Sequence, residues 1–189
     1  SDADGTVAVG HSALAALTDG ASNTAVGFQC LDALTTGDLN TAVGKAALGA
    51  SVDGSYNAAF GYFSFTNFEG GSDAGENTGC GYATGTFVST GVRNTFVGSQ
   101  AGHGITGTRL TGNDNTAVGR NAGYLLQGAA HENTFVGNAS GDVLTTGSDN
   151  TCIGYGADTD DATAINQSVI GHSTTGVADN SVTLGNTSV

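Results

Sequence analysis

The sequence predicts an all-β fold: a parallel β-solenoid of about eleven coils that occupies residues 1–189 as a single repeat domain. Three observations carry this expectation. The string Asn-Thr-x-apolar-Gly recurs along the whole chain. Gly makes up 32 of 189 residues with no Pro, which fits neither a collagen helix nor an extended Pro-rich linker. The glycines that end the string, at 10, 27, 44, 61, 81, 98, 119, 137, 154, 171 and 185, are spaced by 17 residues in six of ten intervals.

The string sets the elements in order. Its best copies begin at Asn23, Asn40, Asn57, Asn77, Asn94, Asn115, Asn133 and Asn150. They end at Gly27, Gly44, Gly61, Gly81, Gly98, Gly119, Gly137 and Gly154. Degenerate copies close the series at Gly10, Gly171 and Gly185. Thr and Val between Asn and Gly suit a short pleated strand. Gly supplies a corner that needs positive φ. Asn tolerates similar angles, and its amide can bond the identical Asn of the next coil. A small residue follows three positions later (Ala13, Cys30, Ala47, Ser64, Ala101) and an apolar one about seven later (Leu17, Leu34, Phe68, Val88, Ile105, Leu126, Leu144). The Ala-Leu stretches at Ser12–Leu17 and Lys45–Leu48 read as the second arm of a coil, because Gly this dense costs a helix ~1 kcal/mol per residue. Ten intervals of ~4.8 Å make a rod about 48 Å long.

Charge excludes several function classes. Seventeen acids against four bases give a net charge of −13, which disfavours nucleic acid and anionic membrane surfaces. No apolar run approaches the roughly 18 residues of a membrane span, so no membrane insertion is expected. The absence of Met and the start at Ser1 read as a segment excised from a longer fibrous protein.

Alternation along a strand puts neighbouring side chains on opposite faces. With the bulkier residue before each Gly placed inward, together with Thr, the middle residue points out. That outward column reads Ala25, Ala42, Ala59, Phe96, Ala117 and Phe135 in six of the coils. A continuous apolar stripe of this kind marks an interface, here with further copies of the same chain; the competing reading is that the stripe faces the coil's own interior and the register is inverted.

The repeat resembles the head repeats of trimeric autotransporter adhesins and related repeats in phage tail-fibre proteins. The carriers are the Asn-Thr-x-apolar-Gly copies, the small residue that follows, and the ending within 172–189, Ala178-Asp-Asn-Ser-Val-Thr-Leu-Gly-Asn-Thr-Ser-Val189. The resemblance implies a left-handed β-roll, a homotrimer, and an extracellular or virion location. The 17-residue period is longer than in adhesin heads and favours the tail-fibre branch.

The chemistry-bearing residues form no cofactor, metal or catalytic motif. Cys30, Cys80 and Cys152 lie in separate coils, too far apart for a disulfide, and read as buried packing. His11, His103, His131 and His172 read as solvated surface. Acids that could serve glycan hydrolysis are Glu69, Asp73, Glu76, Asp158, Asp160 and Asp161. Asp158–Asp161 and Gly112–Asn115 are the best places for calcium. Solvated turn acids are the simpler reading of both. Ice binding is disfavoured, because the Thr column is single and read as inward.

The irregularities point to a ligand surface. Two intervals lengthen, to 20 and 21 residues, near Thr66–Glu76 and His103–Asp114. Nine of thirteen aromatics fall between Tyr56 and Phe96. Tyr62, Phe68, Tyr82, Arg93, Arg109 and Arg120 are the candidate ligand-binding residues, with Tyr62 and Tyr82 placed to form a ladder. Packing inside a wider coil is the competing reading. The expected function is presentation rather than catalysis: a rigid trimeric fibre segment that meets a host-surface glycan or protein. The alternatives are a bacterial surface adhesin or self-assembling filament, and a tailspike-like polysaccharide depolymerase.

Overall fold

The computed structural model describes residues 4–71 and 75–186. Asp73 and the final Thr187, Ser188 and Val189 lie outside the described residues. The strands are β1 (Val7–Val9), β2 (Thr24–Val26), β3 (Thr41–Val43), β4 (Ala58–Phe60), β5 (Thr78–Cys80), β6 (Thr95–Val97), β7 (Thr116–Val118), β8 (Thr134–Val136), β9 (Thr151–Ile153), β10 (Ser168–Ile170) and β11 (Val182–Leu184). They form one parallel sheet in sequence order, each strand pairing with the next. The register superposes the repeat on itself, as in Thr95↔Thr116, Phe96↔Ala117 and Val97↔Val118. The fold is therefore the β-solenoid that the repeat predicts, with no helix among the described residues. The Ala-Leu stretches are tight turns, with Leu17 N–H donating to Leu14 C=O (3.2 Å) and Leu14 N–H to Cys30 C=O one coil along (3.1 Å).

The Asn ladder forms. Oδ1 of Asn40 accepts from the backbone N–H and the Nδ2 of Asn57, both at 3.0 Å. The same pair of bonds links every neighbour from Asn23 to Asn150. Gln167 N–H closes the series on Asn150 Oδ1 at 2.9 Å. All eight asparagines are buried. A buried amide needs every one of these partners, because an orphaned polar group costs about 1–3 kcal/mol.

The strand register is the reverse of the expectation. Ala25, Ala42, Ala59, Phe96, Ala117 and Phe135 are all fully buried inside the coil of a single chain. They cannot be the outward interface. Lumen volume explains the reversal. The lumen is filled from the opposite arm by Leu31, Leu48 and Phe65, four residues after the marker Gly, so the strand has room only for Ala. Where the strand carries Phe instead, the opposite arm carries Gly. A Cβ on Gly102 would sit 2.5 Å from the Phe96 ring, and one on Gly141 2.3 Å from the Phe135 ring. Conversely, Phe65 faces Gly79, where a Cβ would meet its ring at 2.7 Å. Large and small residues thus alternate across the lumen. Phe68 is also fully buried, which assigns it to packing. In the second lengthened coil Leu110, not Ile105, is fully buried.

Candidate functional site

Reversal of the register builds the site on the outer strand face. One outward column reads Thr24, Thr41, Ala58, Thr78, Thr95, Thr116, Thr134, Thr151 and Ser168. The other reads Val26, Val43, Phe60, Cys80, Val97, Val118, Val136, Ile153 and Ile170. Thr and the apolar residue before Gly therefore share a face as expected, but it is the face toward solvent. Phe60, Val118, Val136, Ile153 and Ile170 remain between 37% and 42% exposed. None of the 17 acids or four bases falls in either column.

A second column runs along the adjoining corner, one residue after each marker Gly. His11 stacks on Phe28 (centroids 5.4 Å), Tyr62 on Tyr82 (5.7 Å) and Tyr155 on His172 (5.1 Å). The Lys45 ammonium lies 5.7 Å from the Phe28 ring and 5.5 Å from the Tyr62 ring. The Tyr62–Tyr82 ladder is present, and its geometry limits what it can bind. Tyr62 turns one face to Tyr82 and receives the ammonium over its ring. A sugar stacking on this pair would therefore use the face of Tyr82 turned away from Tyr62, a side chain 53% exposed.

The candidate arginines do not converge. Arg93 makes a bidentate pair with Asp114, at 2.8 and 2.9 Å. This holds the Asp114 carboxyl below its ordinary pKa. Arg109 reaches Glu69 at 2.7 Å and so ties the second lengthened coil to the first. Arg120 occupies the aromatic column's position and is exposed, with no ion pair among the described residues. Beside the second insertion His103 stacks on Tyr124 (5.0 Å) and meets the edge of Phe87 (5.1 Å). Burial lowers its pKa.

The acids of Asp158–Asp161 are used by turns. Asp158 accepts from Val143 N–H (3.2 Å) and Thr159 N–H (3.0 Å). Asp160 accepts from Gln167, and Asp161 caps Thr163 N–H at 2.6 Å. Asp114 and Asn113 of the other calcium candidate are bound to Arg93 and Val92 N–H. Glu69 and Glu76 are exposed on the first insertion.

Asp158 takes the lumen position that Leu or Phe fills in earlier coils. Burial, and then a hydrogen bond with the Asp142 carboxyl, push it up to about 8. Asp142 and Cys152 are the titratable groups that face it. Between the unfolded value of 3.8 and about 8 the folded chain holds a proton that the unfolded chain has lost, so stability falls as pH rises through that window. Asp158→Asn removes this fall. Unfolding free energies from denaturation at pH 5 and pH 9 should converge in the variant by roughly 2–4 kcal/mol relative to wild type. Parallel pH profiles would show that Asp158 is ionised throughout.

The three cysteines are free. Cys30 and Cys152 are buried as expected, with desolvation raising their pKa to about 11 and about 12. Cys80 differs from the expectation: it is exposed, in the apolar column.

Comparison with protein-family models, curated proteins and solved structures finds no match to this chain.

Proposed function

We propose that this chain is a rigid β-solenoid segment of a self-associating extracellular or virion fibre, with attachment surface displayed on its corners and insertions. The carrying observation is the uncharged Thr and Val/Ile face that runs the length of the solenoid. A continuous apolar stripe is characteristic of an interface. Its freedom from charge matters in a chain of net charge −13, because copies brought together on this face set no acids against one another. The number three comes from the resemblance of the repeat and its ending to trimeric fibre heads. Stacked coils supply stiffness, and several copies of a weak glycan- or protein-binding surface supply avidity.

Light scattering on the folded chain tests this. A β-rich species near three times 18.5 kDa supports the trimer. Open-ended assemblies favour a filament subunit. A folded monomer of 18.5 kDa removes self-association.

The outward Thr column favours one second reading, an ice-binding face, because the in-register sheet repeats its hydroxyls every ~4.8 Å. A monomer that shows thermal hysteresis would select it over the fibre.

A further inference from the structure

A column of side chains just before each marker Asn projects from another corner. After Ser22, Leu39 and Tyr56 it runs Glu76, Arg93, Asp114, Glu132 and Asp149, and Asn166 and Asn180 continue it before Gln167 and Ser181. Arg93 neutralises Asp114. The next two carboxylates, Glu132 and Asp149, have no cationic partner of that kind among the described residues. His131 stands beside them on the same turn as Glu132. Donor atoms of His131, Glu132 and Asp149 all lie within 4.8 Å of one another.

The imidazole is oriented from outside this trio. His131 Nδ1 lies 2.8 Å from the Ala129 carbonyl oxygen. A carbonyl only accepts, so Nδ1 carries a proton, and in the neutral imidazole this leaves the lone pair on Nε2. Metal-ligating histidines are set up this way, with the second ring nitrogen donating to a carbonyl or carboxylate. Asp149 is oriented too, by the Ser148 hydroxyl donating to Oδ2 at 2.7 Å. Asp149 N–H donates to His131 C=O at 3.2 Å, which locks the two turns together, and Glu132 N–H donates to Asn113 C=O of the preceding coil at 3.0 Å. The donors therefore sit on stacked coils rather than on a loose loop.

We propose that His131, Glu132 and Asp149 form a binding site for a divalent transition-metal ion of the zinc type. The donor set selects the class. One imidazole and two carboxylates suit zinc and its neighbours, whereas calcium takes six to eight oxygens. Three protein ligands leave at least one position to water, or to a group from a partner molecule.

The probe is zinc chloride, titrated calorimetrically into the full chain. One saturable site per chain with a micromolar dissociation constant is expected, unaffected by excess calcium. His131→Ala and Asp149→Asn should each weaken it at least tenfold, and His103→Ala should leave it unchanged. The wild-type chain gives an independent reading that needs no variant. Paramagnetic cobalt(II) should broaden the His131 imidazole resonances before those of His11, His103 and His172. Absence of saturable zinc binding at millimolar metal would overturn the site. So would wild-type affinity in both variants, or equal broadening of all four histidines.

Discussion

Gly137→Ala is expected to cost roughly 3–5 kcal/mol, from a forbidden backbone region plus overpacking against a neighbouring coil. Gly137 has φ +138°, and its added Cβ would lie 2.3 Å from the Gly154 carbonyl oxygen. That oxygen belongs to the backbone of the next coil, so relief requires the stack itself to open. Gly156→Ala is the control. Its φ of +56° is shared by Ala46, Ala83 and Ala139 at the equivalent place in their coils (53°, 53° and 51°). A Cβ there meets nothing nearer than Ser173 Oγ at 3.7 Å. Its effect should stay within about 1 kcal/mol, since the left-handed cost and the loss of unfolded-state entropy oppose each other. Urea denaturation followed by circular dichroism reads both. Equal destabilisation would mean that the marker glycines serve conformation alone and that close coil contact is not what selects them.

The fold was legible because stacking repeats its demand in every coil. From Gly10 to Gly154 each marker Gly faces the carbonyl of the next, and from Asn23 to Asn150 each Asn meets the next amide, so the requirement is written into the sequence at a near-constant spacing. The facing of the strand was legible only in part. Alternation showed that Ala25 and Val26 point opposite ways, but not which way is in. Burial normally favours the larger residue, and here the narrow lumen overrides that preference. The deciding signal lies outside the strand, in the exchange between Phe96 with Gly102 and Ala59 with Phe65. It shows that the middle strand residue and the fourth residue after the Gly share one volume.

Site residues separate along the same line. The Tyr62–Tyr82 ladder follows directly from equal positions in neighbouring coils. His131 and Glu132 against Asp149 follow from the same rule, since they fall just before the Asn markers of successive coils. No linear motif marks them, because the donors come from two coils 17 residues apart and meet only when those coils stack. The Arg109–Glu69 pair had no such signal, because it spans 40 residues between two insertions that break the period.

Cys80 turns the interface into a measurable quantity. It is the exposed thiol of the three and lies in the apolar column, while Cys30 and Cys152 are buried with thiols held protonated. In a trimer built on this face, Cys80 from each chain approaches the shared axis. Mild copper-catalysed oxidation of the native protein should then yield disulfide-linked pairs. A disulfide joins two chains, so at most two of every three become linked. Ile153→Glu combined with Val136→Glu should abolish the cross-link and reduce the mass to 18.5 kDa. Both positions are 38–39% exposed, so a lone chain tolerates the charges, whereas packed copies would bury them against one another. Retained circular dichroism with lost association locates the interface on the strand face. Rapid labelling of Cys80 by a thiol reagent in the wild-type chain, with no cross-link, would place Cys80 in open solvent and leave the Thr and Val face free for another surface.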